Sequence, residues 1–257
     1  MVAIEVRGLA KRFGGVQAVA DLSFQVEHGE VTAFLGVNGA GKTTTLRILL
    51  GLVAPDAGTA VIKGQPYAAL ADPMHQVGAV LEASGFHPGR TARNHLRIQA
   101  MAAGVAEPRI DDVLERVGLT GAARRRVGEF SLGMRQRLGL AAALLAGPDV
   151  LILDEPANGL DPPGIRWLRD MLRGMAADGT AVLVSSHILA EVAQTADSVV
   201  IIDHGRLVAQ APLAGLLGSS HANGSLEEVF FELTRRNDGE GGAPEGADAA
   251  APERSAQ

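Results

Sequence analysis

VTAFLGVNGAGKTTTLRILLGL, residues 31–52, reads as a short apolar strand, a glycine loop and a helix in immediate succession. Val31 to Leu35 is the strand, and Thr44 to Leu52 is the helix, stopped before Pro55. Between them Gly36-x-x-x-x-Gly41-Lys42-Thr43 matches the complete phosphate-loop pattern in the strand-to-helix setting that pattern requires. Its glycines let the backbone wrap closely around a phosphate, while the exposed amides and the helix N-terminus meet the negative charge. Lys42 can reach the β and γ phosphates and Thr43 can ligate magnesium. An ordinary glycine turn would also be rich in glycine, but it has no need of the lysine, the threonine or the flanking strand and helix.

Working outward, residues 2–7 and 22–27 alternate like strands around a Gly14-Gly15 turn and read as a small antiparallel edge sheet. Val61 and Ile62 suggest a strand before Gly64, and Val77 to Leu81 another. From Thr91 to Val117 the apolar residues recur at helical spacing, broken near Gly104 and Pro108. Residues 86–126 are therefore the core of a helical lobe between sheet strands, and a further helix covers Ser131 to Leu145. Val150 to Asp154 is a continuous apolar run suited to a parallel sheet covered on both faces. Ile165 to Ala176 (helix), Ala181 to Ser185 (strand), Ile188 to Thr195 (helix) and Val199 to Asp203 (strand) continue the alternation, which places the chain in the α/β class. A short helix is expected at Leu226 to Thr234, and the Gly-, Pro-, Glu- and Ala-rich residues 236–257 read as a disordered acidic tail.

The chain has 257 residues, enough for one large domain with a buried core. It has no cysteine, which excludes disulfides, thiol chemistry and thiolate metal sites and suits a reducing cytoplasm. The start, MVAIEVRGLAKRF, lacks a secretory pattern, and the longest apolar stretch, Leu138 to Leu153, is interrupted at Gly147-Pro148-Asp149. Membrane association is expected to need a partner. Net charge is −6, and the stretch from Asn237 onward carries five acids against one Arg. The remainder is near neutral, so no basic field argues for nucleic acid.

Asp154 and Glu155 close the run Val150-Leu-Ile-Leu. In a phosphate-loop enzyme the first acid can hold magnesium and the second can polarise attacking water or take its proton. Alone, the pair would read as the start of a solvated loop before Pro156. His187, following Ser185 and Ser186 at another strand end, can hydrogen-bond the γ phosphate or organise the water, although a histidine so placed is more often structural. Its standing improves because three strand ends converge on one site, as ligand-binding residues do in open parallel sheets. Phe13 can stack on an adenine ring, or simply belong to the edge-sheet core. Ser131 and Gly133 lie at a helix N-terminus able to meet phosphate, although Ser131 also suits a plain helix cap.

With these residues in hand, the chain resembles the nucleotide-binding subunits of ABC transporters, especially the single-domain ATPases of bacterial drug, antibiotic and related ABC-2-type exporters. The resemblance covers residues 2–235, and Phe130-Ser131-Leu132-Gly133-Met134-Arg135-Gln136-Arg137 looks like the family's signature segment. It implies a P-loop NTPase core of the ABC ATPase type over residues 1–235, with an antiparallel β edge subdomain and a helical subdomain inserted at about residues 86–147. It implies ATP and Mg2+ as ligands, with the nucleotide held by Phe13, Gly36, Asn38, Gly39, Ala40, Gly41, Lys42, Thr43 and Thr44. Lys42, Glu155 and His187 take the catalytic roles, and Thr43, Asp154 and Glu82 the metal. Two such domains, in a homodimer or heterodimer, would pair head to tail so that Ser131 and Gly133 of one face the ATP of the other. Asn158 to Asp161 resembles the loop coupling the two sites. Glu82 stands where the family usually has glutamine, and a carboxylate cannot donate an amide hydrogen bond. Leu132 replaces a usual glycine and Met134 a common glutamine.

The resemblance further implies transmembrane permease subunits as partners, a place on the cytoplasmic side of the cell membrane held through them, and no nucleic-acid partner. Export of a drug, antibiotic or other hydrophobic substrate is the preferred reading. A non-transport ABC ATPase acting on DNA or the ribosome is the alternative, disfavoured because those relatives carry a long coiled-coil insertion or two ATPase domains. A module using ATP only as a switch would have little need of Glu155.

Overall fold

The computed structural model describes residues 1–81, 85–219 and 225–240. It opens with a long hairpin, β1 (Val2–Phe13) and β2 (Val16–Glu27), followed by β3 (Val31–Leu35), α1 (Lys42–Leu49) and β4 (Ala57–Ile62). A single turn, α2 (Pro73–Gln76), leads into β5 (Val77–Val80), and α3 (Ala92–Ala102), α4 (Pro108–Arg116) and α5 (Leu132–Leu144) form the helical lobe. The chain returns through β6 (Val150–Asp154), α6 (Pro162–Ala177), β7 (Ala181–Ser186), α7 (Leu189–Thr195) and β8 (Ser198–Asp203), then β9 (Arg206–Pro212), α8 (Leu213–Ser219) and α9 (Leu226–Glu240).

Two sheets result. One is antiparallel, in the order β2-β1-β4; the other runs β5-β6-β7-β3-β8-β9, parallel throughout except for β9. Side chains alternate across a strand, so the central strands feed two cores at once. Leu151, Leu153, Val182 and Val184 join α6 and the helical lobe on one face. Val150, Ile152, Leu183 and Val200 face α1 and the antiparallel sheet on the other, with Leu46, Leu49, Phe24 and Ile4. That double burial is why β3, β6, β7 and β8 are apolar along most of their length. Ala33, Leu35 and Ile201 pack under α7, α8 and α9.

The structure extends several expectations. Both hairpin strands are 12 residues long; register shifts between them break the strict alternation that would have marked their full length. The helix after the glycine loop occupies Lys42–Leu49, beginning and ending earlier than the 44–52 expected. β9 and α8 were not anticipated, because β9 is an edge strand with a mostly exposed, non-alternating pattern. The terminal helix runs to Glu240, past Thr234 and across the proposed domain boundary at residue 235. Residues 241–257 of the expected disordered tail lie outside the described residues.

Inside the helical lobe, His95 on α3 is 8% exposed, meets Phe86 edge-on at 4.9 Å between ring centroids, and among the described residues has no hydrogen-bond partner for its Nε2. Burial, aided by the positive charge of Arg90, holds its pKa below the ordinary 6.5. The unfolded chain therefore takes up a proton on acidification before the folded chain does, and stability is lost as pH falls below the unfolded value. Thermal melts between about pH 7 and 5 should show a falling midpoint, and His95→Leu should flatten that fall; an identical pH dependence in the variant would refute the assignment.

Candidate active site

The parallel strands bring their carboxyl ends to one edge. Leu35 pairs with Ser186 and Asp154 with Ser185, so the glycine loop, Asp154 and the end of β7 lie side by side. The loop is a cradle that side chains would fill. A Cβ on Gly36 would fall 2.7 Å from the Ile202 carbonyl oxygen, and one on Gly41, whose φ is 101°, would fall 2.3 Å from that of Ala18. Gly41 thus lets β2 of the antiparallel sheet press against the start of α1, and a hydrogen bond from the Gly205 amide to the Ala40 carbonyl at 3.0 Å ties the loop to the β8–β9 turn.

Lys42 and Thr43 leave this cradle in different directions. The Lys42 ammonium is 2.7 Å from the Gly36 carbonyl oxygen and 3.3 Å from that of Val37. It also lies 3.7 Å from Glu155 Oε1. Thr43 Oγ1 donates to Asp154 Oδ2 at 2.7 Å. Ser185 Oγ donates to Asp154 Oδ1 and accepts the Glu155 amide at 2.9 Å. Asp154, 8% exposed, is therefore solvated by two neutral hydroxyls, and among the described residues no cation pairs with it. A nearly buried carboxylate with hard oxygen neighbours and no countercharge suits a divalent cation.

Glu155 has φ 48°, an unusual backbone for a residue with a side chain. The Ser185 hydroxyl on its amide and the Asn158 amide on its carbonyl, at 3.2 Å, hold it there. The turn divides its carboxylate between Lys42 and His187, whose Nδ1 is 2.8 Å from Oε2. An ionised carboxylate only accepts, so Nδ1 carries the proton in that pair, leaving Nε2 to accept when the ring is neutral or donate when it is cationic. Nearby, burial raises the Glu191 carboxyl above its ordinary pKa, opposed by His187 and reinforced by Glu155.

The other expected residues are placed as follows. Asn38, Gly39 and Ala40 form the loop, Ala40 being buried, and Thr44 lies in the first turn of α1. Phe13 is at the tip of the β1–β2 hairpin, 51% exposed with the Lys11 ammonium 5.5 Å from its ring centroid, so it is not an edge-sheet core residue. Ser131 caps α5, accepting the Met134 amide at 3.2 Å. Gly133 abuts Gly159 and Leu160 of the same chain, and Asp161 caps α6 through the Gly164 amide at 3.0 Å. Glu82 lies outside the described residues. Ser185, which bonds both Asp154 and Glu155, has no role in the sequence reading; its signal was a polar residue at a fully buried strand end, in register with an acid.

The family model described as ABC transporter matches residues 19–158. The chain belongs to the ABC transporter family. It is 43% identical over 212 residues to the bacitracin transport ATP-binding protein BcrA of Bacillus licheniformis, an alignment covering 81% of this chain and 69% of that protein. To the lantibiotic transport ATP-binding protein SrtF of Streptococcus pyogenes it is 34% identical over 227 residues, covering 88% and 95%. A solved ATP-binding subunit of an ABC transporter superposes with a TM-score of 0.80 at 33% identity, covering 90% of this chain and 99% of that one. The fold is therefore that of an ABC ATPase, and the chain is an ATP-hydrolysing ABC transporter subunit that powers transport. Among the described residues no helix is long and apolar enough to cross a membrane.

Ser185→Ala should leave Asp154 short of one donor and the Glu155 amide unpaired, costing about 1–3 kcal/mol of stability. Denaturant melts would measure that cost. A wild-type midpoint would show that the hydroxyl is dispensable.

Proposed function

We propose that this chain hydrolyses ATP to ADP and phosphate at the edge formed by Lys42, Thr43, Asp154, Glu155 and His187, and that the cycle drives export through separate transmembrane subunits. The observation that carries the reading is the sharing of the Glu155 carboxylate between Lys42 at 3.7 Å and His187 at 2.8 Å, beside a Thr43–Asp154 contact of 2.7 Å. Lys42, now bonded to loop carbonyls, exchanges those oxygens for the β and γ phosphates, while the loop amides and the start of α1 take the remaining negative charge. Glu155 orients the attacking water and accepts its proton, and His187 fixes the carboxylate's direction. Phe13, exposed at its hairpin tip, offers a face for the adenine ring. Thr43 and Asp154 would hold magnesium, and Glu82, outside the described residues, is the further ligand that the resemblance implies. The bound ion would draw charge from the phosphate oxygens during transfer.

Export of a drug, antibiotic or other hydrophobic substrate is the finer reading. It rests on relatives named for bacitracin and lantibiotic transport and on a 41% identical relative named for Nod factor export. Such a motor works on the cytoplasmic side of the membrane, attached through permease subunits, and closes as a homodimer or heterodimer around ATP. Ser131, which caps α5, and Gly133, which abuts Gly159 and Leu160 in its own chain, then serve the nucleotide of the opposite copy.

Glu155→Gln should retain ATP binding, accumulate as a closed dimer with ATP, and lose turnover. Hydrolysis at the wild-type rate would sink the assignment of Glu155. Affinity capture of tagged protein from detergent-solubilised membranes should recover a multi-spanning subunit that raises ATPase activity. Ribosomes or DNA-repair proteins in its place would favour the non-transport alternative.

A further inference from the structure

The start of α5 and the loop that follows Glu155 interlock within one chain. A Cβ placed on Gly159 would lie 2.4 Å from Leu132 Cδ2 and 2.5 Å from its Cγ, so the isobutyl group of Leu132 fills the space over that α-carbon. Reciprocally, a Cβ on Gly133 would lie 2.8 Å from the Gly159 carbonyl oxygen. Gly159 has φ 79°, and the loop is otherwise stitched by the Asn158 amide to the Glu155 carbonyl at 3.2 Å and the Leu160 amide to the Ala157 carbonyl at 3.1 Å. It is pinned at one end by Ser185 on the Glu155 amide and at the other by Asp161 capping α6. In its middle Gly159 meets the N-terminus of α5, while Ala157 and Leu160 pack against the core of the helical lobe. Leu132 remains 55% exposed, so it adds little as a core residue.

We infer that Leu132 is a positioning residue for Glu155: its side chain clamps Gly159 to the α5 N-terminus, so that a shift of that helix end is passed through Gly159 and Asn158 to the carboxylate of the same chain. The inference rests on Glu155 as the water-activating group and on the α5 N-terminus meeting phosphate of a second copy. It deepens that reading by giving each copy a mechanical route from the phosphate it caps to its own catalytic acid. A glycine at position 132 would leave Gly159 uncovered and the loop free to shift against α5.

The test is steady-state ATPase kinetics of the full chain with Leu132→Ala and Leu132→Met, together with melts of those variants, of Gly159→Ala and of the Leu132→Ala/Gly159→Ala pair. Leu132→Ala should lower kcat about threefold to tenfold, the size expected for loss of one coupled contact. KM for ATP should stay within about twofold, and the melting midpoint within about 3 °C because the residue is half-exposed. Methionine, of similar volume, should restore kcat. Gly159→Ala should lower the midpoint more in wild-type protein than in the Leu132→Ala background, where its new methyl meets less.

Wild-type kcat in Leu132→Ala would overturn the inference. So would a raised KM with unchanged kcat, which would assign Leu132 to phosphate contact, or a kcat loss that tracks melting and is not rescued by methionine. Additive midpoints in the double variant would remove the contact itself. A wild-type chain that neither binds nor hydrolyses ATP would instead overturn the hydrolase reading, and the melting cycle would still report on the Leu132–Gly159 contact.

Discussion

The carboxylate of Asp154 is the point to which the rest of the site is referred. It ends the apolar strand β6, is nearly buried, and accepts one hydroxyl from the phosphate loop's helix and one from β7. Removing such a group from water is costly unless its oxygens are partnered. Partnering fixes the relative height of α1, β6 and β7, and Ser185 passes the constraint onward by holding the Glu155 amide. A charge solvated only by neutral hydroxyls is still incompletely compensated. The same arrangement that orders three strand ends therefore leaves a place for a cation beside the lysine that would bind phosphate.

Glu155 shows how backbone geometry becomes chemistry. A left-handed conformation at a non-glycine residue costs about 1–3 kcal/mol. Here it turns the side chain directly after a buried acid back toward Lys42 and His187, where an extended strand would send it to the opposite face. The tight loop from Asn158 to Asp161 follows from that reversal. In consequence the Glu155 carboxylate, the cap of α6 and the surface against α5 are consecutive parts of one short segment.

Much of this was legible in the sequence because the decisive features are local. The glycine loop between an apolar strand and a helix, and the acid pair after VLIL, each carry their meaning within a few residues, and the parallel sheet follows from strands too apolar to have a wet face. What escaped depends on register or edges. Ser185 looks like any strand-end serine until β6 and β7 are aligned. β9 is half exposed and has no period to betray it, and the bulged hairpin hides strands twice as long as their alternating parts. The positive φ of Glu155 has no sequence mark of the kind glycine leaves. Phe13 was ambiguous by composition, and its exposure, set by the hairpin's length, decides against the core.

The segment from Phe130 to Arg137 is folded within a single copy, yet its proposed chemistry lies in a second. Ser131 satisfies the Met134 amide, but the amides of Leu132 and Gly133 in the first helical turn have no intrahelical acceptors. Among the described residues no hydrogen bond ties this positive helix end to the chain's own phosphate loop; Gly133 instead rests on Gly159 and Leu160. Such a helix end, next to the loop that follows Glu155, would suit a phosphate presented from outside the chain. In the proposed head-to-tail pairing each copy would present one to the other, so closure over ATP would add helix-end donors to both sites at once and opening would follow loss of the γ phosphate.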